Sequence, residues 1–165
     1  MTRKALNIAI LTVSDTRTID TDTSGLKLKT LAEADGHVVC ETLIVKDDLF
    51  HIRAVVSKWI HQAEINVIVI TGGTGFAYRD VTPDAIEPLL VQKIIGFGEL
   101  FRQVSYAEIG SSTIQSRALA GISNNTMVVA MPGSTGACNT AWTKILSEQL
   151  DSTHKPCNFV AMLKS

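Results

Sequence analysis

The stretch from residue 67 to 86, VIVITGGTGFAYRDVTPDAI, runs from an unbroken apolar segment into a glycine turn, then an acid and the start of a helix. Gly72, Gly73 and Gly75 can adopt positive φ and admit close approach to the backbone, so consecutive N–H groups could converge on an anion such as phosphate. Thr71 and Thr74 add hydroxyl donors. The Gly-Lys-Ser/Thr of a Walker loop is missing and GGTG does not fit GxGxxG, so neither common nucleotide signature applies. The competing reading is a tight turn that only redirects the chain. Asp80 follows the turn and precedes a helix start, with Thr82 as expected N-cap, Pro83 at the first helical position and Asp84 near the positive helix end. Asp80 could point into a crevice or cap the turn.

Three further stretches carry polar groups of the same kind. In ILTVSDTRTIDTDTSG these are Ser14, Asp15, Asp22 and Ser24, and in TMVVAMPGSTGACNTAW the turn at Pro132 and Gly133 precedes a cap at Ser134 or Thr135. In VKDDLF, Asp48 fits a helix cap, which leaves Asp47 without a local partner. Asp47 and Asp80 together could hold Mg²⁺, which is commonly bound by one or two carboxylates plus substrate phosphates. The four histidines, His37, His51, His61 and His154, show no ligand spacing.

Positioning these groups requires a sheet. Near-continuous β-branched runs at Asn7 to Val13, His37 to Val45, Asn66 to Thr71 and Thr126 to Met131 have the pattern of strands buried on both faces. Helical spacing marks Thr23 to Asp35 and Asp48 to Ala63, and helices are expected over Pro83 to Gln92, Gly98 to Glu108 and Thr135 to Leu150. Trp59 and Trp142 fall on apolar helix faces. Gly110 to Asn125 has no clear periodicity. The tail from Asp151 contains Phe159, Val160 and Leu163 and is expected to pack. The expected fold class is α/β, a three-layer α/β/α arrangement with a mostly parallel central sheet. Ligands of such sheets sit outside the carboxyl ends of the strands, where all the polar stretches above would lie.

A chain of 165 residues without repeats or linkers suits one domain spanning 1–165. With 45% hydrophobic and 19% charged residues and a net charge of −1, there is apolar surface enough for a core and no basic cluster for nucleic acid or an anionic membrane. Cys40, Cys138 and Cys157 form neither a zinc pattern nor a disulfide framework, which points to a reducing, cytoplasmic setting. No apolar run approaches the roughly 20 residues of a membrane span.

TGGTG, then RDVTPDA, then MPG, with TVSDT near the start and QSRALAG between, resembles in that order the MoaB/MogA family of molybdenum cofactor biosynthesis over nearly the whole chain. The resemblance implies a MoaB/MogA-like molybdopterin-binding fold. For active members it implies Mg-ATP-dependent adenylylation of molybdopterin with release of pyrophosphate, so ATP and molybdopterin are the expected partners and Mg²⁺ the expected cofactor. By the same resemblance Asp47 and Asp80 are the catalytic and metal-holding acids. Thr71, Gly72, Gly73, Thr74 and Gly75 form the nucleotide phosphate loop; Ser14, Asp15, Ser116, Arg117, Pro132 and Gly133 contribute to the molybdopterin side; Arg79 is a phosphate neighbour. A homotrimer or homohexamer is expected. Lys46, where adenylyltransferases commonly have proline, and the STHKPCNF tail resemble the MoaB branch, and leave open a non-catalytic molybdopterin-binding or carrier protein.

Overall fold

In the computed structural model, which describes residues 2–165, strands and helices alternate: β1 (Asn7–Val13), α1 (Thr23–Ala34), β2 (Val38–Val45), α2 (Leu49–His61), β3 (Val67–Thr71), α3 (Thr82–Ile86), β4 (Gln92–Lys93), α4 (Ile95–Ile109), β5 (Leu119–Ser123), β6 (Thr126–Met131) and α5 (Thr135–Ala141). The chain continues from α5 through a π-helical turn, Trp142–Leu146, into Ser147–Gln149. The six strands form one sheet in the order β2-β1-β3-β6-β5-β4. β2, β1, β3 and β6 are parallel neighbours, whereas β5 runs antiparallel to both β6 and β4.

Alternation along the central strands explains the layering. Ile8 and Ile10 of β1, Val67 and Val69 of β3, and Met127, Val129 and Met131 of β6 face a core with Leu28 of α1, Phe97 and Phe101 of α4, and Trp142. The intervening Ala9 and Leu11, Ile68 and Ile70, and Val128 and Ala130 face Ile52, Val56 and Trp59 of α2 and Ala85 and Ile86 of α3. Burial on both faces is what a continuous apolar run such as VIVIT requires. The helix starts are set by side chains: Asp22 accepts from the Gly25 N–H (2.9 Å), Asp48 from His51 (2.7 Å) and Ser134 from Ala137 (3.1 Å).

Three expectations are corrected. β2, expected to be buried on both faces, is an edge strand exposed over most of its length. The helix expected over Pro83 to Gln92 ends at Ile86 and gives way to a 3₁₀ turn, Glu87–Leu89, and then to β4. Pro88 lacks an N–H and cannot extend the helix. Thr82 is not the N-cap; Val81 takes that position and the Thr82 hydroxyl instead donates to the Gly72 carbonyl (2.8 Å). The segment without periodicity, 110–125, resolves into a 3₁₀ segment and β5, which pairs with β6 through a two-residue turn at Asn124 and Asn125. Both asparagines have positive φ, 48° and 56°, as a tight hairpin loop demands.

The tail packs as expected, with Val160 and Leu163 in the core. Lys164 ties it down: its N–H donates to Asn125 O (2.9 Å), its carbonyl accepts from the Asn66 amide (2.9 Å), and its ammonium donates to Ile60 O (2.8 Å) and Gln62 O (2.7 Å) at the end of α2. We expect Lys164→Ala to lower the unfolding free energy by about 1–2 kcal/mol, the scale for losing charge-assisted bonds to helix-terminal carbonyls. Urea unfolding checks this; an unchanged midpoint would mean that water replaces the ammonium without cost.

Candidate functional site

The glycine turn sits where the sheet changes direction. From the carboxyl end of β1 the chain passes into α1 on one face, and from the adjacent end of β3 it passes into α3 on the other. Such a divergence leaves a crevice at the strand ends. Into it come the loops after β1, β2, β3 and β6, carrying Ser14 and Asp15, Asp47, the glycine turn, and Pro132 and Gly133.

The turn is packed to the limit of what glycine allows. Gly72 and Gly73 have φ of +102° and +67°. A Cβ on Gly72 would strike the Val13 carbonyl oxygen, and one on Gly133 would stand 3.2 Å from the Gly72 Cα, so the ends of β1, β3 and β6 are in contact through backbone. A Cβ on Gly73 would stand 3.0 Å from Asp47 Oδ1, and one on Gly75 2.8 Å from Asp80 Oδ2. Both carboxylates therefore lie directly against the turn. The Gly72 N–H is spent on Met131 O (3.0 Å), but the N–H groups of Gly73, Thr74 and Gly75 meet no acceptor among the described residues.

Asp80 closes a small turn by accepting from the Ala77 N–H (2.9 Å), and it remains half-buried beside Gly75. Asp80 thus closes the turn, one of the two expected roles, and lies against the glycine turn. Asp47 is half-buried and its carboxylate receives no hydrogen bond from another described residue; burial first, then the Asp15 and Asp80 carboxylates, push its pKa up. Asp15 is pulled the opposite way, chiefly by Arg79, whose Nε and Nη2 grip its two oxygens at 2.9 and 2.8 Å. Asp15 Oδ1 also accepts from the Asp47 N–H (3.2 Å). The loops after β1, β2 and β3 are thereby linked.

An Asp47 carboxyl raised in the fold is destabilising when ionised, so the stability it contributes is lost as pH rises from its unfolded value through its folded one, and the deficit persists at neutral pH. We expect Asp47→Asn to raise Tm at pH 7, without divalent cation, by roughly 1–3 °C, since solvent screens a half-buried group. The gain should vanish at a pH below the carboxylate range, where the native acid is neutral too. Thermal melts at both pH values check this; a lower Tm at pH 7 would make Asp47 a structural residue.

The other expected residues are placed as follows. The Ser14 hydroxyl accepts from the N–H groups of Thr16 (3.2 Å) and Arg17 (3.1 Å), shaping its own loop. Thr71 is buried and donates to Pro132 O (3.0 Å), beside the Cys138 thiol, which burial pushes up to about 11. The Ser116 hydroxyl accepts from Ala118 N–H (3.3 Å) and holds none of the strand-end groups. Arg117 reaches the glycine turn: its N–H donates to Thr74 O (2.8 Å), its Nε to Gly75 O (2.9 Å), its Nη2 to Asp80 O (2.6 Å) and its Nη1 to Asp84 (3.0 Å).

One residue with no signal in the sequence joins the β1 and β6 loops. Arg17 donates to Ser24 Oγ (3.0 Å) and to Gly133 O (3.4 Å) and pairs with Asp22 (3.6 Å), while Ser24 also donates to Gly133 O (2.7 Å). Beside the crevice opens a cleft of about 820 Å³ between the β1–α1 loop, α1 and β2. It shares Ser14, Asp15 and Lys46 with the crevice but does not lie over the glycine turn, and Ile10, Leu26 and Leu43 make part of it apolar.

The family described as "Probable molybdopterin binding domain" matches residues 9–152. The chain belongs to this family. It is 51% identical over 157 residues to the molybdenum cofactor biosynthesis protein B of Escherichia coli strain K12, covering 95% of this chain and 92% of the relative. Its identity to the protein of the same name from Staphylococcus aureus strain COL is 46% over 151 residues, 90% of this chain and 89% of the relative. A crystal structure of molybdenum cofactor biosynthesis protein B superposes with a TM-score of 0.88 at 44% identity, covering 91% of this chain and 94% of that one. The place of this family member is molybdenum cofactor biosynthesis, and its mostly parallel six-stranded sheet is the expected fold. Among the described residues no helix is long and apolar enough to cross a membrane.

Proposed function

We propose that the protein binds molybdopterin and adenylylates it with Mg-ATP. A terminal phosphate oxygen of molybdopterin forms a bond to the α-phosphorus of ATP, the bond from that phosphorus to the bridging oxygen breaks, and pyrophosphate leaves with the electron pair. The observation that carries this reading is the run of three N–H groups, Gly73, Thr74 and Gly75, without acceptors and flanked by the Asp47 and Asp80 carboxylates. Phosphoryl chemistry asks a protein mainly for positioning and charge neutralisation, and such a turn supplies donors that need no reorganisation when charge builds on a phosphate.

The acids fit a magnesium ion. Asp47 is raised first by burial and then by the Asp15 and Asp80 carboxylates, and a cation relieves the second of these; among the described residues no group of three or more His, Cys, Asp or Glu could hold a metal by itself, so phosphate oxygens and water have to complete the shell. Asp47 and Asp80 would therefore hold Mg²⁺ together with phosphate oxygens and water, the usual arrangement for this ion. When bound it would neutralise charge on the reacting phosphates. Asp15 keeps Arg79 at the crevice mouth, and as both are largely exposed the pair stabilises the fold little and can yield to an incoming phosphate. Ser14 and Asp15 open onto the 820 Å³ cleft, which has room for a ring system next to the phosphates.

A second reading, molybdopterin binding without turnover, is favoured by Lys46, an exposed cation directly before Asp47. Incubation with molybdopterin, ATP and Mg²⁺ separates the two. Pyrophosphate and adenylylated molybdopterin in equal amounts are expected. Bound molybdopterin with no pyrophosphate would leave the binding reading.

A further inference from the structure

Arg117 holds the glycine turn and the segment after it through its guanidinium. Nε meets Gly75 O, Nη2 meets Asp80 O and Nη1 meets the Asp84 carboxylate, so every guanidinium nitrogen is engaged. The plane lies over the Phe76 ring, 5.3 Å from its centroid, and the Arg117 N–H holds Thr74 O. Its five contacts fall within the eleven residues from Thr74 to Asp84 and span the cradle, the Asp80 turn and the start of α3.

Resting on the proposed function, we propose that Arg117 is a positioning residue for the phosphate side of the site and makes no contact with the pterin. The fork geometry matters here. A guanidinium can donate to two carbonyls in fixed directions while stacking on a ring, whereas an ammonium supplies one point charge and cannot hold both. Asp80 depends on this strut twice, through its own carbonyl and through the neighbouring Gly75, against which its carboxylate packs. Asp84, 54% exposed, is the expendable arm.

The test compares Arg117→Lys with Asp84→Asn in the full chain. Titration with α,β-methylene ATP and Mg²⁺ is expected to show at least a tenfold weaker Kd for Arg117→Lys and less than a threefold change for Asp84→Asn, with molybdopterin affinity native in both. Arg117→Lys losing molybdopterin but keeping the nucleotide analogue would overturn the proposal. Amide hydrogen exchange gives a readout that survives failure of the nucleotide reading. The strut predicts faster exchange at Ala77, Asp80 and Thr82, whose N–H groups hold Asp80 Oδ2, Ala77 O and Gly73 O, with β1 amides unchanged. Native exchange at those three amides sinks the inference even if no nucleotide binds the native protein. Should Arg117→Lys fail to fold, Phe76→Ala removes the ring beneath the guanidinium, and acceleration at the same amides is required of it, whereas Asp84→Asn, whose amide oxygen still accepts from Nη1, should leave them native.

Discussion

Asp80→Asn is expected to reduce pyrophosphate release at least about 100-fold, on the scale of removing one electrostatic group from a transition state, while leaving the fold intact. The amide oxygen of asparagine can still accept from the Ala77 N–H, so the turn that the carboxylate closes at 2.9 Å keeps its acceptor. What disappears is the negative charge beside Gly75. The expectation is therefore a KM for molybdopterin within a few-fold of native, a kcat that collapses, and a Tm within roughly 2 °C. Removing the charge also lightens the repulsion on Asp47, so the Asp47 carboxyl should titrate lower in the variant. Steady-state kinetics with magnesium at saturating and limiting concentration check the assignment. Native kcat in the variant would remove Asp80 from the reaction and leave it as a turn-closing residue.

How far the sequence could be read depends on where each residue's partners lie along the chain. Residues 8–13 and 126–131 are legible as strands because six consecutive positions in each satisfy a rule that needs no partner, burial on both faces. Asp48 as a cap was legible because the N–H it accepts is three residues away. β5 was not, although its hairpin signal, two asparagines between apolar runs, is present; Ser, Gly and Gln in the preceding residues obscured the short strand. α3 was read too long because apolar spacing continues past Pro88 while helical hydrogen bonding cannot. In the candidate site, the glycine turn and the two acids could be singled out by type and place. The roles of Thr82, Arg79 and Arg117 could not, since their partners lie 10, 64 and up to 43 residues away and depend on the sheet order. Arg17 is the extreme case, an arginine in a polar loop that reaches Gly133 across 116 residues.

The backbone of the cradle carries the second large expectation: Gly72→Ala should lower the unfolding free energy by about 3–4 kcal/mol and abolish binding of Mg-ATP analogues. Two costs combine. At φ +102° a side chain is strained by roughly 1–2 kcal/mol, and a Cβ there meets the Val13 carbonyl oxygen, a backbone atom of the central strand that cannot move without shifting β1. Gly36 separates the two. Its φ is +85°, also in the left-handed region, but nothing lies within 4 Å of where its Cβ would be. Gly36→Ala should then cost only about 1 kcal/mol, the conformational part. Urea unfolding of both variants gives the difference, which measures the steric contact between β1 and β3 alone. If the two alanine variants lose the same stability, the strand ends can part freely. The crevice would then not be held rigid by backbone contact, and the loss of nucleotide binding in Gly72→Ala would have to be traced to the turn's own N–H groups.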